Sequence, residues 1–202
     1  TDTLDRLHTT ATSHSRIMVC EIMGNKAGWL TLYSGVAGGA DVILIPEIPY
    51  DINKVCDALV KRAEKGKNFS IVAVAEGVFD VQEAQMKKKE RNKKREKEGV
   101  ITATNRIASQ IQQITGIETR TCVPGHMLRG GSPSAYDRVL ATKFGVHAAQ
   151  LIRDERYGRT VAMVNSKITS NKLEDIAGLT KFVKPDNQLV ITAKDLGIKF
   201  GD

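Results

Sequence analysis

Polar and glycine-rich residues follow three strand-like segments of the sequence, and their types suit a ligand that carries phosphate and hydroxyl groups. Histidine and arginine side chains donate hydrogen bonds that match phosphate oxygens, whereas a carboxylate accepts them from hydroxyl groups. Glycines let the backbone turn tightly or approach a ligand closely. The candidates are Met23, Gly24 and Asn25 after the first segment, Glu76 after the third, and His126 and Arg129 after the fourth.

Each of these groups also has a purely structural interpretation. Residues 126–131 equally suit a glycine-rich connection between a strand and a helix, and Glu76 at the end of an apolar run also suits an ion pair. The loop after Met23 has one pair of glycines, Gly24 and Gly28, and does not match the GxGxxG phosphate-binding fingerprint. Residue types and spacing leave both interpretations open.

Two arginines, Arg16 and Arg120, stand at the beginnings of predicted strands. In a parallel sheet the beginnings of the strands lie at the edge opposite their carboxyl ends. These arginines therefore cannot reach the pocket of Glu76 and His126 within one chain, although they can reach a pocket in a neighbouring subunit. The structural alternative is a pair of solvated arginines.

The elements that position these residues are strands and helices in alternation. Apolar runs predict strands at 16–22, 41–46, 69–75, 117–123 and 160–165. Helices are predicted at 27–36, 51–65, 81–98 and 102–114, from an N-cap at Ser132 to about 152, and at 187–196. Continuous apolar strands between helices indicate an α/β protein with a Rossmann-like parallel sheet between helices, which binds ligands at the carboxyl ends of its strands.

The net charge of +7 over 202 residues is mostly local. Residues 87–98 hold eight basic and three acidic side chains, a net charge of +5, and the rest of the chain carries only +2. A nucleic-acid-binding module that uses the run at 87–97 is therefore an alternative, but a phosphate-tracking surface needs charge spread over a face. A solvated, salt-bridged segment is the interpretation that we adopt, with no nucleic acid as partner.

Composition also limits the class of protein. No apolar stretch approaches 18 residues, so we expect no transmembrane helix and no membrane partner. Cys20, Cys56 and Cys122 are odd in number and lie far apart. They predict a reducing compartment, without a disulfide framework or a metal site, which favours the cytoplasm. Cys20 and Cys122 stand in apolar strand-like runs, so we expect these two thiols to be buried.

Two longer stretches resemble the phosphofructokinase family. The first runs from Glu21-Ile22-Met23-Gly24 to Ala37-Gly38-Gly39-Ala40-Asp41, and the second includes Gly125-His126-Met127-Leu128-Arg129-Gly130-Gly131-Ser132-Pro133 and Asp137-Arg138. The resemblance covers essentially the whole chain. It implies the C-terminal, substrate-side half of a two-domain enzyme that phosphorylates the 1-hydroxyl of fructose 6-phosphate.

The resemblance assigns roles to the matching positions. Glu76, His126 and Arg129 would hold the sugar phosphate, with Met23, Gly24 and Asn25 in the same wall. Arg16 and Arg120 would reach the substrate of an adjacent subunit, which implies a homo-oligomer, a dimer or a tetramer. The family usually has arginine where Asn25 stands and glutamine where Leu128 stands, so these two polar contacts are altered.

The same resemblance indicates what the chain does not contain. The GGDxS loop for the phosphoryl donor and the TIDND stretch with the catalytic base are missing. We therefore expect ATP or pyrophosphate, with Mg²⁺, to bind mostly outside this chain, which is expected to be a fragment that is inactive alone. The alternative is a non-catalytic sugar-phosphate-binding or interaction domain, complete as it stands.

The resemblance also implies a domain organisation. Residues 1–130 are expected to form the fructose 6-phosphate-binding α/β domain, with a charged insertion at about 82–100. Residues 131–183 are expected to pack against the missing N-terminal domain, which would leave exposed apolar surface in this chain. Residues 184–202 are expected to form a C-terminal tail helix.

Overall fold

The computed structural model describes residues 1–97 and 102–202. The chain divides into two compact units, one of residues 1–128 and 181–202 and one of residues 129–180. The end of the predicted charged insertion and of the predicted helix 81–98 falls on residues 98–101, outside the described residues.

A four-stranded parallel sheet forms the centre of the first unit. Its strand order is β2-β3-β1-β4, and all three neighbouring pairs run parallel. The predicted α/β fold class is confirmed. The strands are β1 (Ile17–Ile22), β2 (Val42–Leu44), β3 (Ser70–Ala75) and β4 (Thr119–Cys122).

Both faces of this sheet are buried, which is why its strands read as continuous apolar runs. In β3, Ile71 and Ala73 pack into one core cluster, while Val72 and Val74 pack into the other. The first face carries α1 (Asp2–His14), α2 (Trp29–Ala37) and the tail helix; the second carries α3 (Ile52–Glu64) and α5 (Ala103–Thr115).

Several predicted helix starts are confirmed by their caps. The Asp51 carboxylate accepts a hydrogen bond from Asn53 N at 2.9 Å, and the Thr102 hydroxyl accepts one from Asn105 N at 3.1 Å. Each cap satisfies a backbone donor that the first helical turn leaves unpaired. These bonds fix where α3 and α5 begin.

Two parts of the first unit differ from the prediction. Helix α1 was not expected in the polar N-terminal segment, but Leu4, Leu7 and Ala11 form a narrow apolar face that is buried against the sheet. The helix predicted at 81–98 is interrupted, because a single 3₁₀ turn at Glu83–Gln85 is followed by extended Met86 before α4 (Lys88–Lys97) begins.

The second unit contains one long helix and a β-hairpin. These elements are α6 (Ala135–Arg153), β5 (Arg159–Val164), β6 (Lys167–Lys172) and the short α7 (Leu173–Ile176). The expected N-cap at Ser132 is wrong: Ser134 caps α6 and forms a reciprocal capping box with Asp137. Strand β6 was not predicted, although Asn165 and Ser166 adopt the positive φ angles of a two-residue hairpin turn.

The tail helix α8 (Gln188–Asp195) packs in the first unit, where Val190 and Ala193 are fully buried. Beyond it, Lys199 forms a parallel bridge with Val42 at the edge of the sheet, and Phe200 is buried. Among the described residues, none of the helices combines the length and the apolar character that crossing a membrane requires.

Candidate functional site

The carboxyl ends of β1 and β3 bring the first candidate residues together. Ile22 lies opposite Ala75 in the parallel register, and the next residue, Glu76, donates its backbone N–H to Ile22 O at 3.0 Å. The loop that follows each strand therefore leaves the sheet at the same point. Glu76 faces the loop of Met23, Gly24 and Asn25, as their positions at strand ends predicted.

The Glu76 carboxylate is held by the backbone of that loop. Its Oε1 accepts hydrogen bonds from Gly24 N at 3.1 Å and Asn25 N at 2.5 Å. Its other oxygen, Oε2, has no hydrogen-bond donor among the residues that the structure describes. The first oxygen thus fixes the side chain, and the second can accept a hydrogen bond from a ligand hydroxyl.

Close backbone approach at this point requires glycine at position 77. A Cβ there would lie 2.0 Å from the Asn25 carbonyl oxygen, well inside van der Waals contact. Asn25 itself has φ +54°, a left-handed conformation that asparagine tolerates better than most residues. The two loops therefore interlock through Gly77 and Asn25.

A cavity of about 430 Å³ opens beside Glu76. Two carboxylates, an amide, a hydroxyl and one guanidinium line it, a donor and acceptor set that suits a hydroxylated ligand with an anionic group. The lining residues are Glu21, Asn25, Glu76, Gly77, Arg95, Thr102 and Ala103.

His126 and Arg129 lie on a single 3₁₀ turn, Gly125–Arg129, that follows β4. Because β4 is parallel to β1, this turn leaves the sheet at the same edge as the Glu76 loop. Both side chains are exposed, and His126 is not among the residues that line the cavity. Arg129 is the first residue of the second unit.

Arg16 and Arg120 lie together at the opposite edge, where strands β1 and β4 begin. Both pair with one carboxylate: Arg16 Nε lies 2.7 Å from Glu118 Oε2, and Arg120 Nη2 lies 2.5 Å from Glu118 Oε1. The hydrogen bond from Arg16 is the main cause of a lowered pKa at Glu118. Glu118 keeps the two arginines side by side at the surface of the first unit.

A buried ion-pair network holds Arg95 in the wall of the cavity. Glu83 is fully buried and accepts from Arg95 Nε and Nη2, both at 2.9 Å, and from Arg106 Nη2 at 2.7 Å. Arg95 also donates to Val78 O at 2.9 Å. Burial alone raises the Glu83 pKa, but the bonds from Arg95 and Arg106 outweigh it and lower that pKa to about 2. Glu83 is therefore a stable anion that orients both arginines.

None of the three cysteines lines this cavity. Cys20 lies opposite Cys122 in the register of β1 and β4, and burial, with Cys122 beside it, raises the Cys20 pKa to about 12. Cys56 is buried in α3, and its pKa is raised to about 11, mainly by burial. The predicted burial of Cys20 is confirmed, whereas Cys122, which was also predicted to be buried, is half-buried.

Three residues of this region were missed by sequence reasoning. Glu118 carried a usable signal, because residues 118 and 120 of a strand share one face and an alternating Glu-x-Arg pair places opposite charges together. Arg95 and Glu83 carried none, because their contact depends on the break in the helix at Met86, which the continuous helical pattern concealed.

The phosphofructokinase family profile matches residues 1–152. The chain is 49% identical over its full length to an ATP-dependent 6-phosphofructokinase of Spirochaeta thermophila. It spans about half, 55%, of the length of that relative.

Solved structures agree with this result. Phosphofructokinase from Saccharomyces cerevisiae is 29% identical and superimposes with a TM-score of 0.72 over 86% of this chain and 22% of its own. A pyrophosphate-dependent phosphofructokinase from Nitrosospira multiformis is 19% identical, with a TM-score of 0.74 over all of this chain and 53% of its own. The second likeness shows the fold alone.

Together the parallel sheet and the helices on both of its faces define an α/β protein of the Rossmann-like type, with a cavity at the carboxyl edge of the sheet. The chain belongs to the phosphofructokinase family. In the described part of the chain, no three histidine, cysteine or carboxylate side chains cluster closely enough to hold a metal ion.

Proposed function

We propose that this chain provides the sugar-phosphate side of a 6-phosphofructokinase, whose substrate is fructose 6-phosphate. The observation that carries the proposal is Glu76: one carboxylate oxygen is fixed by two backbone N–H groups, and the other is free of described donors beside a cavity. An oriented carboxylate binds sugar hydroxyls without losing further conformational freedom.

The sugar phosphate group requires cations, and the turn at Gly125–Arg129 supplies candidates. His126 and Arg129 are exposed on this turn, which follows β4. We assign them to the phosphate, since arginine binds phosphate through a bidentate, charge-assisted pair. Met23, Gly24 and Asn25 complete the wall through their backbone.

Arg16 and Arg120 belong to the proposal as donors to a neighbouring subunit's substrate. They lie at the edge of the sheet opposite Glu76, so they do not serve their own chain's cavity. Their pairing with Glu118 holds two positive charges at one surface. A homo-oligomer is the assembly that this arrangement suits. The compartment that we propose for it is the cytoplasm.

The donor of the phosphoryl group is either ATP or pyrophosphate, with Mg²⁺, in this proposal. Phosphoryl transfer depends on positioning and on cations around the transferred group. The chain has no GGDxS loop and no TIDND stretch, so we expect it alone to bind the sugar phosphate without transferring a phosphoryl group. Asn25 supplies an amide where the family resemblance implies a guanidinium.

The proposal is tested by replacing Glu76 with its neutral isostere. Glu76→Gln keeps an oxygen for Gly24 N and Asn25 N but removes the charge that strengthens the bond to a hydroxyl. Loss of one charge-assisted hydrogen bond costs about 1.5–3 kcal/mol, so fructose 6-phosphate should bind roughly 10- to 100-fold more weakly. Isothermal titration calorimetry measures the change.

Glu64→Gln is the matched control, because Glu64 is an exposed glutamate at the end of α3, away from the cavity. It should leave the dissociation constant unchanged. Equal affinities for the parent chain and Glu76→Gln would contradict the assignment of Glu76. Circular dichroism of both variants confirms that each remains folded.

A further inference from the structure

The cavity beside Glu76 has one positively charged residue in its wall. Among the described residues that line it, Arg95 is the only cation, while Glu21 and Glu76 are both carboxylates. Two carboxylates repel an anionic group that enters the cavity unless a cation lies close enough to offset them. Arg95 therefore determines whether a ligand can place a negative charge next to Glu76.

Arg95 reaches this wall from helix α4, and its position is fixed by protein contacts. Its Nε and Nη2 each donate to the Glu83 carboxylate at 2.9 Å, and Nη2 also donates to Val78 O at 2.9 Å. About a fifth of the side chain, 22%, stays exposed. The guanidinium is thus oriented by the protein itself, so that binding a ligand costs it little further conformational freedom.

One nitrogen of Arg95 remains for a ligand. Nη1 donates to no acceptor among the residues that the structure describes, whereas Nε and Nη2 are both engaged. Glu83 is shared, because it also accepts from Arg106 Nη2 at 2.7 Å, and Arg106 has only Asp80, 3.4 Å away, as a second carboxylate partner. The charge of Arg95 is therefore only partly offset, and a hydrogen bond from Nη1 to an anion would be charge-assisted.

From this arrangement we propose that Arg95 is a specificity-determining residue, which binds a phosphate group on the end of the sugar that lies next to Glu76. The inference rests on the proposed function, in which Glu76 binds sugar hydroxyls and the turn with His126 and Arg129 binds the 6-phosphate. Transfer of a phosphoryl group to the 1-hydroxyl gives the sugar a second phosphate, and the described wall of this cavity offers that phosphate one cation. Arg95 therefore distinguishes a ketose bisphosphate from the monophosphate substrate.

The experiment is a calorimetric titration of the full chain with fructose 6-phosphate, fructose 1-phosphate and fructose 1,6-bisphosphate. We expect the bisphosphate to bind at least tenfold more tightly than fructose 6-phosphate, because it adds one charge-assisted hydrogen bond. Arg95→Met keeps an unbranched side chain but removes the charge and the donors. It should weaken binding of fructose 1-phosphate and of the bisphosphate at least tenfold, and binding of fructose 6-phosphate less than twofold.

Two further variants separate a direct contact from a structural effect. Arg91→Met makes the same change on α4 at a residue that does not line this cavity, and it should leave all three affinities unchanged. In the second, Asn25→Arg is added to Arg95→Met. Asn25 lines the same cavity, so this change returns a guanidinium to its wall without restoring the bonds to Glu83, and we expect bisphosphate binding to tighten again at least threefold.

Three results would overturn the proposal. These are a parent chain that binds the bisphosphate no more tightly than fructose 6-phosphate, an Arg95→Met variant that loses both ligands equally, and an equal loss with Arg91→Met. Glu76→Gln should weaken fructose 6-phosphate and the bisphosphate alike. Failure of the proposed function therefore shows in Glu76→Gln with fructose 6-phosphate, whereas failure of this inference shows in Arg95→Met with the two sugars that carry a 1-phosphate.

Discussion

Glu76 performs two tasks with its two carboxylate oxygens. Through Oε1 it joins the loops that follow β1 and β3, and its side chain also lines the cavity. In the proposed function, Oε2 is the acceptor for a ligand hydroxyl. The site depends on the interlock of these two loops, which Gly77 makes possible.

Gly77→Ala tests that interlock. The added Cβ would lie 2.0 Å from the Asn25 carbonyl oxygen, so the loop has to move. We expect a loss of about 1–3 kcal/mol in the free energy of unfolding, the usual cost of overpacking. Urea denaturation provides the measurement.

Gly145→Ala is the control for the same chemical change. A Cβ at position 145, within α6, meets no atom within 4 Å, and alanine favours a helix by up to about 1 kcal/mol. The expected result is unchanged or slightly raised stability. A Gly77→Ala variant as stable as the parent chain would show that the loops are not interlocked.

Individual residues could be predicted from sequence where local chemistry decides their position. The caps Asp51 and Thr102 follow from the hydrogen-bonding needs of a helix start. The Ser134 cap was mistaken for Ser132 because both serines precede the helix and Pro133 suits its first turn. The free oxygen of Glu76 and the role of Gly77 depend on strand register and could not be predicted.

The helices and strands also divide into those that could be predicted from the sequence and those that could not. Strands β1 and β3 were predicted because burial on both faces makes them apolar throughout. Helix α1 was missed because its apolar face is only three residues wide in a polar sequence. The charged insertion was predicted as a solvated segment, but Arg95 turns inward to Glu83 and Arg91 stacks on Phe79. Its basic residues therefore do not all face solvent.

Glu83→Gln tests whether this network holds α4 in place. Replacing the buried carboxylate leaves Arg95 without its anion and leaves Arg106 with only Asp80, 3.4 Å away, and breaking a buried pair costs about 3–5 kcal/mol. Urea denaturation at pH 6 should show this loss, while Glu64→Gln on the surface of α3 should not. An equal stability of Glu83→Gln and the parent chain would contradict the network's role.

The contribution of Glu83 to the free energy of unfolding depends on pH in a defined direction. The folded-state pKa of Glu83, about 2, lies below its ordinary value of 4.5, so its contribution is complete above about pH 5 and is lost as the pH falls towards 2. The stability difference between the parent chain and Glu83→Gln should shrink by about 2 kcal/mol from pH 6 to pH 3. A difference that stays constant over this interval would show that Glu83 is not a depressed carboxylate.

At the scale of the whole molecule, the two units differ in how well they are buried. The first unit encloses two core clusters around its sheet, whereas α6 buries only Leu151. Apolar side chains on α6 are exposed, as the sequence analysis expected for this segment, and the packing of residues 131–183 against a further domain stays a prediction. These side chains are Tyr136, Val139, Val146 and Ile152.

The most direct test of the central claim is a calorimetric titration of the chain with fructose 6-phosphate, with glucose 6-phosphate as control, over a range of protein concentrations. The proposed site, completed by Arg16 and Arg120 of a neighbouring subunit, predicts selective binding of fructose 6-phosphate that tightens as protein concentration rises. Equal binding of both sugars, or no binding at any concentration, would contradict the claim that this chain carries the sugar-phosphate site.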